Sequence, residues 1–437
     1  MAAAAALTAG FRKLPLPLAQ LSLAAVLQCG QSFRWSIFPL TRCAPDTAAD
    51  ATTPSHEYRF CLKDRVVCLR QTPDALYYRS VCPTSLKPLD DDTREAQTLS
   101  WIRDYFQLDV DLLQLYEEWS DRDPVFRKLR HRFSGIRLLR QDPFECLLSF
   151  ICSSNNNIKR ISKMVKALCT EYTPALLSLP PPDEAEGELG VEAYHPFPPP
   201  SVLSAPEVAA NLRKLGFGYR ADFIQKTAKM LVDAHGSPSV AGTRPEPAEE
   251  WLSKLRAMTT ADARIELLKL MGVGRKVADC VLLMSMDKPE VVPVDTHVHD
   301  IAKKYYGVAG SKAKTNMTPQ LYDMVNTKLV NVWGTYAGWA QSVLFTSDLK
   351  AFASYGLDSP VPSDSTTAVA TPTGSLPATP MQSPSPSKRK RGKKVAVQEE
   401  TVAVTAAVFE RLSATEGAVE VEYFTLAERV KRRRRGP

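Results

Sequence analysis

The sequence predicts an α+β chain in three parts. An N-terminal antiparallel β/α domain spans residues 1–120, a mostly α-helical domain built round a helix-hairpin-helix spans 121–356, and a disordered basic tail spans 357–437. Three observations lead there. Short apolar runs separated by polar or proline-containing turns follow Leu21, apolar positions recur with a helical period from about residue 95, and beyond Leu357 the chain fills with Ser, Thr, Pro, Ala and clustered Lys/Arg.

The bulk numbers suit a soluble chain with a sizeable core: 437 residues, 44% hydrophobic and 24% charged. The net charge is +7, and the tail from Asp358 holds 13 Lys/Arg against 9 Asp/Glu, leaving +3 for the rest. Any nucleic-acid surface is therefore local. Nine cysteines, without a Cys-x-x-Cys pair or a secretory leader, read as reduced thiols inside a cell. The alanine-rich start has no acid before Asp46 and permits an organelle transit peptide, a frayed terminus being the plainer reading. No apolar run approaches the ~18 residues a membrane span needs, so no membrane partner is expected.

In the first domain, Gln31-Ser-Phe-Arg-Trp35, Tyr58-Arg-Phe-Cys-Leu62, Val66-Val-Cys-Leu69 and Ala75-Leu-Tyr-Tyr78 are the predicted strands, with 40–55 as a hairpin insertion. Helical spacing then places Ile102, Tyr105 and Phe106 on one face, and Ile158, Ile161, Met164, Val165 and Leu168 on another. The segment 179–200 is Pro/Glu-rich and reads as a surface loop. A short helix near 402–412 is expected in the tail.

Two periodic segments, Arg264 to Leu270 and Val277 to Met284, are joined by Met271-Gly-Val-Gly, which predicts the helix-hairpin-helix. Gly272 and Gly274 permit positive φ and close approach, so backbone N–H groups opening the second helix can hold a DNA phosphate. An ordinary glycine-capped helix turn is the plainer alternative. Nineteen positions separate Lys276 from Asp295 in Val292-Pro-Val-Asp-Thr-His297, and this pairing suggests a lysine nucleophile. A lysine attacks carbon only as the neutral amine, and at a pKa of about 10.4 roughly one in a thousand is neutral at pH 7. A helix N-terminus contributes under one pKa unit, whereas burial shifts a lysine by ~3–5 units, so desolvation is expected to depress Lys276. A carboxylate paired with the amine would oppose this, so Asp295 is expected to face the sugar. Otherwise Lys276 is a phosphate-binding lysine and Asp295 the N-cap of the helix from Thr296. Cys280, one turn beyond Lys276, can touch the amine or the base. His297 and His299 at i, i+2 point to different helix faces, which favours a phosphate contact for His297 over a metal.

With these motifs, and with Gly30-Gln-Ser-Phe-Arg-Trp35, Cys152-Ser-Ser-Asn-Asn-Asn-Ile158, Leu215-Gly-Phe-Gly-Tyr-Arg220 and Trp333-Gly-Thr-Tyr-Ala-Gly-Trp-Ala-Gln-Ser-Val-Leu-Phe345, the chain resembles the eukaryotic 8-oxoguanine DNA glycosylase/AP lyases of the helix-hairpin-helix superfamily. The resemblance runs from about residue 14 to 355. It implies base excision in damaged double-stranded DNA: Lys276 displaces the base, and the resulting Schiff base undergoes β-elimination. It implies Asp295 as the catalytic aspartate, Cys280 and Phe345 stacking on the base, Gln341 reading its pairing edge and Gly30 its oxidised ring. That last contact has a chemical basis, because guanine N7 is an acceptor while 8-oxoguanine carries a hydrogen there. A carbonyl accepts one and repels the other. Gly30 also reads plainly as a strand bulge.

By the same resemblance Asn155, Arg160 and Arg220 read the cytosine left unpaired, and Tyr219 is the wedge filling the vacated stack. Cytosine N3 and O2 suit arginine donors, and N4 suits an amide oxygen. Without it, Asn155 would pass as a helix-capping loop and Tyr219 or Phe345 as core aromatics. Met271 stands where many such hairpins have proline, which should soften the turn. A structural cation on the carbonyls of Leu268, Leu270 and Val273 is implied, and no required cofactor.

Iron–sulfur relatives carry four cysteines after the hairpin, whereas Cys280 is the last one here. Alkyl-base glycosylases without the lysine are disfavoured by Lys276. A non-catalytic DNA-binding module needs neither Lys276 nor Asp295. Clusters at 388–394 and 431–435 read as nuclear import signals for an import receptor or as a DNA-tethering stripe, with Thr379, Ser383 and Ser385 before prolines as phosphorylation sites. A nuclear monomer is expected, with mitochondrial dual targeting open.

Overall fold

The computed structural model describes residues 8–41, 53–84, 90–187, 189–238, 240, 244–308 and 317–357. The starting alanines, most of the insertion after Leu40, and the tail with its basic clusters, its Ser/Thr-Pro sites and its expected helix lie outside the described residues.

Strands β1 (Arg12–Pro15), β2 (Ser36–Pro39), β3 (His56–Cys61), β4 (Val66–Gln71) and β5 (Ala75–Val81) form one antiparallel sheet in the order β1-β5-β4-β3-β2. Two expected central strands, β3 and β4, pair in the register Tyr58↔Leu69 and Phe60↔Val67. Gln31 to Trp35 is not a strand. Every residue in it is buried, and the Gln31 and Arg34 side chains are bonded to neighbouring segments instead of a ladder. The strand begins one residue later, at Ser36, and Pro39 closes it on the sheet edge where a missing N–H is tolerated. The opposite edge, β1, is a short charged strand beneath the sequence signal.

Helix α1 (Leu23–Val26) leads into β2, and α2 (Asp91–Tyr105) lies across the sheet. Its Trp101 and Tyr105 stack at 4.6 Å, and Trp35, Phe60 and Leu69 meet them in one cluster. On the other face Glu57 is fully buried, bonded to Arg59 at 2.6 Å and Arg70 at 2.7 Å.

Helices α3 (Leu112–Arg122) and α4 (Pro124–Leu129) open the helical part. Then come α5 (Pro143–Ser153) and α6 (Ile158–Tyr172), after which 179–200 departs from the expected surface loop. Strands β6 (Leu177–Leu179) and β7 (Glu192–Tyr194) pair, and the intervening chain docks on the free edge at β2. Leu40 bridges Ala185, Thr41 N–H donates to Glu184 C=O at 2.7 Å, and Glu186 N–H donates to Pro39 C=O at 3.0 Å. An exposed edge is thereby paired.

Beyond it lie α7 (Pro200–Leu203), α8 (Val208–Lys214), α9 (Arg220–His235), α10 (Pro247–Lys254), α11 (Thr260–Leu268), α12 (Arg275–Ser285), α13 (Thr296–Tyr305), α14 (Pro319–Trp333) and α15 (Ala337–Asp348). Residues Pro143 to Cys152 of α5 are all buried, as befits a helix apolar on every side at the centre of a bundle. Asp142 caps α5, accepting from Phe144 and Glu145 N–H, and Pro143 occupies the first turn. Helix α12 packs along it. The main core also takes in Ala25, Cys29 and Phe33, so the segment before β2 is built into the helical part. Arg34 reinforces this with a two-pronged pair to Glu145 of α5, at 2.8 and 2.6 Å.

Candidate active site

Thr259 caps α11, accepting from Asp262 N–H at 3.2 Å. The chain then reverses through Lys269 to Gly274 into α12. Gly272 has φ +78°, and a Cβ there would fall 2.6 Å from the Phe223 ring, so only glycine fits. Gly274 corrects the expectation for it. Its φ is −90° and nothing lies within 4 Å of a Cβ position, so it supplies open space before the helix instead of unusual backbone. No side chain caps α12. The N–H groups of its first turn therefore face outward without helical partners, the arrangement an anion fits. Met271 does not loosen the turn, because the buried Thr227 hydroxyl donates to its carbonyl at 2.6 Å.

Lys276 lies one residue into α12 and turns toward α5. Its Nζ is 3.4 Å from the Ser153 hydroxyl and 5.1 Å from the centre of the Phe150 ring, and it bonds the Cys280 thiol. Burial pulls its pKa down, but Cys280 and the Asp295 charge more than offset this and hold it above the ordinary lysine range. The net direction is thus opposite to the one expected: desolvation is present and is outweighed. Burial pushes the Cys280 thiol up to about 11.

Asp295 is the N-cap of α13, accepting from Val298 N–H at 3.0 Å. Among the described residues no ion pair joins it to Lys276. One carboxylate oxygen is committed to the helix and the group is half-buried. His297 follows it, exposed, with Nδ1 3.6 Å from Asp348 and its ring edge-on to Phe345 at 5.8 Å.

Gln341 and Phe345 are one turn apart on α15 and share a face. Gln341 is buried and Phe345 half-buried. The Cys29 thiol is within hydrogen-bonding reach of Thr346, next to Phe345, which brings the Gly30 turn to the same helix. Gly30 has φ +90°, and its Cβ would sit 3.0 Å from Ile158 Cδ1; it belongs to a turn and not to a bulged strand. Lys276, Cys280, Asp295, His297, Gln341, Phe345 and Gly30 therefore line connected elements.

The second group surrounds Ser154, next to Ser153. Asn155 is exposed with φ +47°, while Asn157 takes the capping role, accepting from Arg160 N–H at 3.0 Å. Tyr219 is 49% exposed, its hydroxyl donating to Ser154 C=O at 3.0 Å and its ring edge-on to Phe223 at 5.6 Å. Arg160 is exposed and donates to Gly216 C=O at 3.2 Å. Arg220 differs from an open reader. It is buried beneath Tyr219 and donates to the carbonyls of Ser154 and Asn155, the latter at 3.0 Å, holding the loop that presents Asn155.

Sequence reasoning missed Phe150 and Ser153, which look like core and linker until α5 is laid against α12. It also missed Asp279 and Tyr322. Asp279 is fully buried and accepts from Arg264 Nε at 2.7 Å and from the Tyr322 hydroxyl at 2.6 Å. Only the tertiary fold brings these groups together.

Comparison with known proteins agrees with this geometry. Residues 13–147 match the model for the 8-oxoguanine DNA glycosylase N-terminal domain, and 148–327 match the HhH-GPD superfamily of base excision DNA repair proteins. The chain is 35% identical over 355 residues to an N-glycosylase/DNA lyase of Saccharomyces cerevisiae, covering 78% of this chain and 86% of that protein. It is 36% identical over 337 residues to the Arabidopsis thaliana N-glycosylase/DNA lyase OGG1, covering 76% and 78%. The structure is similar to Clostridium acetobutylicum 8-oxoguanine glycosylase/lyase bound to double-stranded DNA with cytosine opposite 8-oxoguanine, at a TM-score of 0.54 and 25% identity, covering 75% of this chain and 91% of that one.

Proposed function

This chain belongs to the N-glycosylase/DNA lyase family of helix-hairpin-helix base excision repair enzymes, and from that premise we propose that its substrate is 8-oxoguanine, with formamidopyrimidines, opposite cytosine in duplex DNA. It is a bifunctional DNA glycosylase and lyase that binds DNA. The observation that carries the lysine mechanism is the placement of Lys276 against Phe150, Ser153 and Cys280, with Asp295 nearby but not ion-paired to it.

In the proposed reaction the lesion is rotated out of the stack, Tyr219 fills the gap, and the base enters between Cys280 and Phe345. Gln341 bonds its pairing edge. The Gly30 carbonyl accepts N7–H, a hydrogen that undamaged guanine lacks. Asp295 stabilises positive charge at C1′ as the C1′–N9 bond breaks, the base leaving with the electron pair and gaining a proton. Neutral Lys276 forms the new N–C1′ bond. Opening of the sugar gives the Schiff base, and loss of a C2′ proton expels the 3′ phosphate oxygen. The amides at Gly272 to Lys276 and His297 bind backbone phosphates.

On the other strand Asn155, Arg160 and Arg220 receive the unpaired cytosine, Arg220 by exchanging a loop carbonyl for the base. Leu270 C=O accepts from Val273 N–H at 3.2 Å and keeps a second lone pair. With the Leu268 and Val273 oxygens it fits a cation that braces the turn, and no step of the chemistry requires one. In this reading the enzyme acts as a monomer.

Duplexes carrying 8-oxoguanine opposite each of the four bases test this, with base release and nicking scored separately and sodium borohydride added to trap the imine. Cytosine is the preferred partner, and a covalent adduct forms. Equal turnover opposite adenine contradicts the cytosine readers, and absence of any adduct refutes the lysine mechanism.

A further inference from the structure

The carbonyl assigned to lesion reading belongs to the peptide bond between Gly30 and Gln31. A peptide unit is planar, so whatever fixes Gln31 also fixes the direction in which the Gly30 oxygen points. Gln31 is 2% exposed, yet it carries a carboxamide into the core. Its Nε2 donates to Arg137 C=O at 2.9 Å, and its Oε1 accepts from Leu139 N–H at 3.0 Å. The side chain thus pairs with the extended 137–139 backbone as a strand residue would. Its own carbonyl accepts from Gln141 Nε2 at 3.0 Å.

The segment receiving these bonds is itself anchored. Gln141 N–H donates to Met284 C=O at 2.9 Å, near the end of α12, the helix that carries Lys276. The buried Arg137 guanidinium holds the carbonyls of Gln20, Gln107 and Val110. On its far side Gly30 abuts Ile158. A half-buried turn with φ +90° between such supports has little freedom. Packing alone would call for an apolar side chain at position 31, because a buried amide is tolerated only when both its donor and its acceptor are used.

We propose that Gln31 is a specificity-determining positioning residue, which aims the Gly30 carbonyl at N7 of the extruded base by pairing its carboxamide with Arg137 and Leu139. This rests on the reading of Gly30 given above. Gln31 touches neither sugar nor lysine, so its loss acts on base recognition and spares the lyase step, which at a preformed abasic site involves no base.

The test compares the full-length protein with Gln31→Met and Gln31→Glu. Four quantities are read: single-turnover release of 8-oxoguanine, nicking at a preformed abasic site, relative binding of lesion and undamaged duplexes, and thermal midpoint. Base release and the lesion preference are expected to fall about tenfold or more, as for loss of a buried hydrogen-bonded pair, while abasic-site nicking stays within about twofold. Should Gln31→Met melt below the assay temperature, Gln31→Glu, which keeps the acceptor for Leu139 N–H, carries the same comparison. Should both melt, Gln141→Met removes the bond to the Gln31 carbonyl and is expected to weaken base release in the same selective way. Release and nicking that fall together, or an unaltered lesion preference in folded variants, overturn the proposal.

An 8-methoxyguanine duplex separates the two readings, because its N7 is again an acceptor. If the unaltered protein binds it as tightly as 8-oxoguanine, the Gly30 reading fails and this inference with it. If the unaltered protein rejects it and the Gln31 variants reject it equally, only the inference about Gln31 fails.

Discussion

The Tyr322 hydroxyl lies 2.6 Å from Asp279, one turn along α12 from Lys276, and accepts from Val294 N–H at 3.1 Å, next to Asp295. One side chain thus ties the helix carrying Lys276 to the loop carrying Asp295. Tyr322→Phe removes a bond to a buried charge and leaves an N–H without a partner. The expected loss of stability is about 1.5–3 kcal/mol, read by chemical denaturation, with slower base release and slower abasic-site nicking. A variant as stable and active as the parent contradicts this.

Under the proposed mechanism Asp295 has two tasks, capping and charge stabilisation, that one substitution separates. Asn caps a helix about as well as Asp, so Asp295→Asn is expected to keep the thermal midpoint while base release falls on the order of a hundredfold or more. A loss of activity that tracks unfolding would assign Asp295 to the cap alone. Lys276→Gln is expected to abolish base release and borohydride trapping with lesion binding near normal, and full activity in that variant refutes the nucleophile.

The raised pKa of Lys276 gives a pH dependence with a definite sign. Below that pKa the ammonium dominates and the reactive amine grows as protons are withdrawn. Single-turnover base release is therefore expected to climb through the range from pH 6 to pH 9, with a limiting slope of about tenfold per unit. A flat profile would mean that DNA binding has already removed the proton.

Gly272→Ala forces a Cβ into the Phe223 ring at φ +78°. A cost of about 1–3 kcal/mol and weaker binding to any duplex are expected, measured by melting and by salt-dependent titration. Gly274→Ala, with open space around it, should leave the melt nearly unchanged.

Truncation after Leu357 is expected to abolish nuclear enrichment of a fluorescent fusion and to retain activity in vitro. Unchanged localisation defeats the import assignment for 388–394 and 431–435.

Much of this was legible because some positions admit few residues. The turn at Gly272 needs a glycine, a cap needs a side chain like that of Asp295, and Lys276 follows the hairpin at fixed spacing. The rest depended on partners distant in sequence. Gln31 to Trp35 resembles a strand because burial on all sides mimics alternation, and only Arg137, Leu139 and Glu145 reveal why it is a clamped loop. The 179–200 segment looked solvated because many of its contacts are made by backbone groups, which composition does not register. Lys276 was expected to lose its proton through burial, and the opposing influence of Cys280 and Asp295 emerged only with three-dimensional proximity. Arg220 reads as a base contact by type, and only the fold reveals that it also holds the loop presenting Asn155.

The left-handed backbone at Asn155 is propped from below by Arg220. The entropy of ordering that loop is settled during folding, before any encounter. A contact made by that loop then carries little further ordering cost.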